Sequence, residues 1–355
     1  MHGAVMIHRR IVAGIIQLLI GISIGASQSP SLREVYNLEG KWKFELGDNS
    51  RWSDPSYNDA KWDNIYVPSP WEEEGYPGYD GYAWYRKHFT INSRYQGEPL
   101  YLCLGHIDDV GEIYLNGHMI GFVGKFPPDF STGWGISFQC PVPPDFFRYG
   151  SDNVLAVKVY DYRQAGGIVR GNVGLYEPKD YLEPDEDLSG KWKFKTGDSE
   201  AWSQKAFDDS KWEDIKVPLF WEAQGHRDYD GFAWYRLKFR IPAALEGQRI
   251  MLLLGRIDDA DEVYLNGELI GRTGKMNRPL GNANVRSDYQ QLRAYVLPST
   301  LLDPKRENTI AVRVLDVWQH GGIYDGPVGL IQKDRYMSWK DRPKSPWDSF
   351  RDLFR

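Results

Sequence analysis

Residues 105–117 read Gly-His-Ile-Asp-Asp-Val-Gly-Glu-Ile-Tyr-Leu-Asn-Gly, and residues 255–267 read Gly-Arg-Ile-Asp-Asp-Ala-Asp-Glu-Val-Tyr-Leu-Asn-Gly. The same offset of 150 relates Trp42, Trp52, Trp62, Trp71, Trp84 and Gly124 to Trp192, Trp202, Trp212, Trp221, Trp234 and Gly274. A repeat this long is too large for a solenoid unit and has the size of a whole domain. The 355 residues therefore hold two copies of one fold, each long enough to bury its own core. What the chain does reduces to what one copy does, and to where the copies differ.

Each copy reads as a series of short strands. Trp42, Phe44 and Leu46 alternate with Lys41, Lys43 and Glu45, the period of a half-buried strand, and Leu188 to Lys195 opens the second copy in the same way. A loop rich in Asp, Asn, Ser and Trp ends at Val67-Pro68 and Val217-Pro218. The strand that follows in each copy has two faces. Ala83, Tyr85 and Phe89 form a core face, and Tyr82, Trp84, Arg86 and His88 form an aromatic and basic one. Leu100 to Leu104 and Ile250 to Leu254 are continuous apolar runs, as in strands covered on both sides. Asn116-Gly117 and Asn266-Gly267 predict tight hairpins that pair Tyr114 with Met119 and Ile113 with Ile120. Both faces of that hairpin are apolar, which predicts a central element. The copies diverge over 125–140 and 275–295, where the offset becomes 155, as in a surface loop. They converge again at Asn153 to Asp161 and Asn308 to Asp316, each followed by Gly-Gly-Ile. No long helical pattern appears, so the fold class is all-β, two β-sandwiches in tandem. The last ten residues could form a short amphipathic helix.

Bulk composition excludes some functions. With 43 basic and 49 acidic residues interspersed, there is no basic stripe for nucleic acid and no polybasic segment for an anionic membrane. His8-Arg9-Arg10, an apolar run from Ile11 to Ala26 and the small residues beside it form the pattern of a secretory signal peptide over 1–27. Its removal leaves no membrane span and predicts a secreted or periplasmic protein. Cys103 and Cys140 align with Leu253 and Ala294. Both read first as core positions, and a single disulfide between them stays open.

The run Val-Pro, Trp-Glu, Ala-Trp-Tyr-Arg-Lys-x-Phe, then Leu-Gly-x-Ile-Asp-Asp, Tyr-Leu-Asn-Gly, then Ala-Val-x-Val and Gly-Gly-Ile resembles a known domain. It is similar to the jelly-roll, galactose-binding-like sugar-binding domain of family 2 glycoside hydrolases, the β-galactosidases and β-glucuronidases. A similar Ile-Asp-Asp and Asn-Gly pattern occurs in jelly-roll modules of sialate O-acetylesterases. The resemblance spans nearly all of residues 36–332, twice. It divides the chain into a signal peptide (1–27), a first jelly roll (34–177), a linker (178–187), a second jelly roll (188–332) and a tail (333–355). In those families the bond-breaking residues occupy a separate domain, in the glycosidases a barrel of about 250 residues carrying two carboxylates. Nothing of that size remains beside the two copies. The one Gly-x-Ser-x-Gly match, Gly21 to Gly25, lies in the signal peptide and lacks a strand-to-helix context.

Candidate ligand contacts follow from the repeated acids and rings. Asp161 and Asp316 end a strand before Gly-Gly-Ile, which the resemblance places near the sugar pocket. A carboxylate there can accept two hydroxyl hydrogen bonds, and the glycines would let backbone approach a ligand. Arg163 lies beside the first, and Trp318 and His320 beside the second. Asp80 and Asp230, each before a Gly, form a repeated loop that is either functional or a simple turn. Trp84 and Trp234 could stack on a saccharide's C–H face, or could instead pack under the Trp-rich loop with Arg86 and Arg236 paired to Glu72 and Glu222. Asp108-Asp109 and Asp258-Asp259 could take Ca²⁺ or a sugar hydroxyl. Holding their own turn is the better fit, because adjacent strand residues face opposite ways. His88, His106, His118, His226 and His320 form no metal-ligand set. The expected function is secreted tandem carbohydrate binding without catalysis. The alternatives are a glycosidase-related hydrolase with a site between the copies or completed by a partner, and a protein-binding adaptor. No cofactor is implied beyond a structural Ca²⁺.

Overall fold

The computed structural model of the chain describes residues 32–277 and 287–342. The first copy contains β1 (Leu32–Asn37), β2 (Gly40–Leu46), β3 (Asp63–Val67), β4 (Gly81–Thr90), β5 (Leu100–Asp108), β6 (Val110–Leu115), β7 (His118–Val123), β8 (Ser137–Val142), β9 (Asp152–Asp161) and β10 (Gly167–Pro178). The second copy contains β11 (Glu186–Asp187), β12 (Gly190–Thr196), β13 (Glu213–Val217), β14 (Gly231–Phe239), β15 (Ile250–Asp258), β16 (Ala260–Leu265), β17 (Glu268–Thr273), β18 (Ala294–Leu297), β19 (Asn308–Asp316) and β20 (Gly322–Gln332).

All strand pairs are antiparallel, and each copy has a four-stranded and a six-stranded sheet, in the orders β1-β10-β5-β8 and β3-β2-β4-β9-β6-β7 for the first. The second repeats both orders as β11-β20-β15-β18 and β13-β12-β14-β19-β16-β17. The fold is all-β, two tandem jelly-roll sandwiches, as the sequence predicts. Inward residues of both sheets fill each core: Trp42, Tyr85, Leu102, Ile113 and Val157 in one, Trp192, Tyr235, Leu252, Val263 and Val312 in the other. The two sandwiches belong to one compact unit.

Several local expectations change. Asn116 and Gly117 sit at φ 51° and 85°, the left-handed pair that a tight hairpin needs. Tyr114 pairs with Met119, but a bulge then sets Ile113 opposite Gly121 rather than Ile120. The hairpin is not central, since β7 and β17 are sheet edges. The apolar outer face of β7 is explained by the second copy, whose His320 ring stacks on Phe122 at 4.4 Å. Arg227 forms an ion pair with Glu112 alongside. The outer face of β5 is covered in the same way, with the Tyr101 hydroxyl donating to Asp325 at 2.6 Å.

Cys103 and Cys140 are both free thiols. Cys140 pairs with Leu102 and Tyr295 with Leu252, so the structural counterpart of Cys140 is Tyr295 and not Ala294. One element escaped the sequence reading: Lys333–Lys340 forms helix α1, whose Tyr336 and Trp339 pack with Met251, Leu253 and Ile331 on the second sandwich. Among the described residues no helix is long and apolar enough to cross a membrane. The signal-peptide expectation and the helix expected in the last ten residues lie outside the described residues.

Candidate functional site

The aromatic and basic face of β4 and β14 is structural, which corrects the assignment of Trp84 and Trp234 as ligand contacts. Their indoles are 1% and 0% exposed and pack with Trp52 and Trp62, or Trp202 and Trp212, beneath the Trp-rich loop. Arg86 and Arg236 do not pair with Glu72 and Glu222. Their Nε atoms donate to Asp59 and Asp209 at 2.7 Å, and Arg86 also donates to the carbonyls of Trp52, Asp54 and Tyr57. The loop between β2 and β3 is pinned through its own carbonyls, and the ring that looked available is its floor.

The glycines of Gly-Gly-Ile also serve packing. A Cβ on Gly166 would overlap the Trp71 ring, and one on Gly167 would overlap the Tyr85 hydroxyl; Gly321 and Gly322 stand likewise over Trp221 and Tyr235. Their backbone approaches core rings rather than a ligand.

At the strand ends the structure gathers acids. Gly81 pairs with Asp161 and Gly231 with Asp316, so the loops of Asp80 and Asp230 lie beside those carboxylates. Asp161 and Asp316 are 0% exposed. In each, Oδ1 accepts from the backbone two residues on, Arg163 N or Trp318 N, and Oδ2 has no partner. Both partly cap their own loops, and both keep one free buried oxygen. Burial pushes Asp161 up to about 6, with Asp109, Asp80 and Glu72 adding to it. Burial pushes Asp316 up to about 8, with Asp230 and Asp259 adding. Glu222, absent from the sequence reading of this site, is pushed by burial up to about 9. The imidazole of His320, enclosed by Phe122 and Phe220, is lowered by burial to about 4 and is neutral at pH 7.

The Asp-Asp pairs join the same clusters. Asp108 ends β5, but Asp109 lies between β5 and β6, so strand alternation does not separate the two side chains. Asp108, Asp109 and Asp161 each offer an oxygen within 4.8 Å of the others, the one such acidic group among the described residues. Asp109 does not bond its own turn as the sequence suggests but ties it to two other loops, accepting from Tyr162 N at 3.0 Å and from Thr132 Oγ1 at 2.5 Å. Asp259 accepts from Val317 N at 3.1 Å.

The two ends differ in shape. Arg163 is exposed on an open surface beside Tyr162, its guanidinium 5.9 Å from that ring. In the second copy, Trp318 (43% exposed) and His320 line a cleft of about 520 Å³ against β7 and β8 of the first copy. Phe220 and Tyr324, stacked at 4.7 Å, form another part of its wall, with Asp258 and Asp259 also lining it. Phe122, Phe220 and Tyr324 escaped the sequence reading because ring residues carry no signal that tells core from cleft.

A pH dependence follows. An acid whose folded pKa is raised keeps its proton in the folded chain while the unfolded chain releases it. Its contribution is full below the unfolded pKa near 4 and is lost as pH rises through the folded value. With Asp161 near 6, Asp108 near 7 and Asp316 near 8, the Tm in metal-free buffer is expected to fall by several degrees between pH 5 and pH 9. Asp316→Asn, an isostere of the protonated acid, should flatten that slope. A Tm that rises with pH, or an unchanged slope in the variant, contradicts this account.

Residues 47–164 match the family described as beta-galactosidase second all-beta domain. A β-glucuronidase of Formosa agariphila is 28% identical over 167 residues, covering 43% of this chain and 16% of that protein. β-Galactosidase BoGH2A of Bacteroides ovatus is 27% identical over 171 residues, covering 43% of this chain and 19% of that protein. The matched stretch thus spans less than a fifth of either relative. The crystal structure of a Bacteroides uniformis β-glucuronidase aligns over 81% of this chain and 28% of that one, at 18% identity and a TM-score of 0.35.

Proposed function

We infer, from a chain whose tandem sandwiches resemble the all-β domains of family 2 glycoside hydrolases, that it is a carbohydrate-binding protein with its ligand in the cleft of the second copy. One observation carries this reading: the half-open Trp318 indole, the neutral His320 ring and the Asp258 and Asp259 carboxyls border one cavity. A saccharide presents apolar C–H faces and a rim of hydroxyls, and rings beside a few polar groups are its complement. Of the sugars in the relatives' names, the charge favours the neutral galactoside. A uronate carboxylate would enter beside Asp259, and the lysine on the cleft wall, Lys125, is already paired with Asp228 at 2.8 Å. The arginine-led apolar run at residues 8–26 supports a secreted or periplasmic setting.

A glycan array followed by calorimetry with β-galactosides and β-glucuronides tests this. Galactosides are expected to bind, and Trp318→Ala should weaken them about tenfold or more, the equivalent of a lost ring contact of about 1.4 kcal/mol. A blank array with folded protein, or glucuronides bound more tightly than galactosides, refutes the assignment. Hydrolysis is the second reading. Burial and Asp259 hold Asp258 well above the usual carboxylate range, and a protonated acid beside a second carboxyl is what glycoside cleavage employs. Turnover of aryl-glycosides lost in Asp258→Asn would support it, and inactivity across a broad panel would remove it.

A further inference from the structure

We propose that Asp108, Asp109 and Asp161 form a Ca²⁺ site in the first copy, where no guanidinium equivalent to Arg293 braces the turn. The corresponding acids of the second copy form no such cluster among the described residues, and there Arg293 pairs with Asp261 and braces the turn through backbone carbonyls.

Both copies bring acids to the junction of the same three strands. In the second copy Arg293 lies beneath the Asp258-Asp259 turn, with its side chain fully buried. Its Nη2 donates to the carbonyls of Ile257 and Asp259 at 2.8 and 2.9 Å, and its Nε to Asp261 at 2.7 Å. A fixed positive charge thus holds the turn from below. In the first copy the positions of Arg293 and Asp261 are Phe138 and Gly111, fixed by the pairing of Cys140 with Leu102 and of Gly111 with Val159. Phe138 lies in the apolar core. No lysine or arginine forms an ion pair with Asp108, Asp109 or Asp161 among the described residues.

In the first copy the three carboxylates converge. Their oxygens lie within 4.8 Å of one another. Asp161 is 0% exposed, and its Oδ2 has no hydrogen-bond partner. A buried carboxylate oxygen without a donor is costly, and a bound cation satisfies it. The ligand set is all oxygen, which selects a hard cation. Two of the three acids are only partly buried, leaving room for water, as the six to eight ligands of Ca²⁺ require. Asp109 also holds Tyr162 N and Thr132 Oγ1, so the ion would fasten the loop after β9 to the segment before β8.

The test uses the full chain after chelation and dialysis. Calorimetry with CaCl₂ is expected to give one site, with a Kd on the order of 10⁻⁴ M, in the range of extracellular modules. Ca²⁺ at a hundredfold excess over Kd should raise the Tm of the first sandwich by about 5–10 °C. Asp161→Asn should abolish both signals, whereas Asp316→Asn, its twin in the Arg293 copy, should retain them. Should Asp161→Asn fail to fold, Asp108→Asn carries the same expectation. Tb³⁺ luminescence sensitised through Tyr162 and displaced by Ca²⁺ gives a second readout. No heat and no Tm shift, an equal response to MgCl₂, or a response that survives in both first-copy variants overturns the proposal.

Discussion

Replacing Arg293 with methionine is expected to destabilise the second sandwich by about 3–5 kcal/mol, the usual cost of removing one partner from a buried ion pair. The guanidinium and the Asp261 carboxylate are both fully buried, and four backbone carbonyls, those of Ile257, Asp259, Asp288 and Gln291, accept from it. Methionine fills much of the volume but leaves Asp261 as an uncompensated charge. For a domain of this size the loss corresponds to a Tm decrease of roughly 10 °C or more, read by calorimetry. The double substitution Arg293→Phe with Asp261→Gly, which installs the first-copy residues, should recover most of it. A single variant within 1 °C of the parent would show that the pair is not holding the turn.

The second large effect is at Trp71. Its ring is 0% exposed, lies against Gly166 and meets Phe44 and Tyr79, and its Nε1 donates to the Tyr79 carbonyl at 3.1 Å. Trp71→Ala is expected to cost about 3–5 kcal/mol through the cavity it leaves. Gly166→Ala approaches the same contact from the other side, and an added methyl should cost about 1–3 kcal/mol because it meets a rigid indole. Chemical denaturation of both variants checks the pair. A Gly166→Ala variant as stable as the parent would mean that the ring can yield.

Much of the architecture is legible in the chain because it is written twice. The alternation of Trp42, Phe44 and Leu46, the Asn-Gly turns and the apolar run at β5 each translate directly into a strand or a hairpin. The site is less legible, for a definite reason. Trp84 on β4 and Trp318 in the loop after β19 are the same residue type in two copies of one sandwich. What separates a loop's floor from a cleft's wall is the Trp52–Trp62 cover, a contact between residues distant in the chain. Likewise Asp161 and Asp108 end strands of different sheets and meet only where the two sheets pack, so sequence spacing alone underrates the pair. The edge position of β7 is hidden for the opposite reason. The other sandwich covers Phe122 and makes an edge look like an interior strand.

The duplication also makes the molecule its own reference. Arg86 and Arg236, Trp71 and Trp221, and Asp161 and Asp316 are matched positions in one polypeptide, at one concentration and in one buffer. A substitution made first in one copy and then in its twin therefore separates what the fold demands from what its surroundings demand. Equal losses at Arg86 and Arg236 would measure the shared scaffold. Unequal losses at Asp161 and Asp316 would measure how far two descendants of one domain have divided their labour.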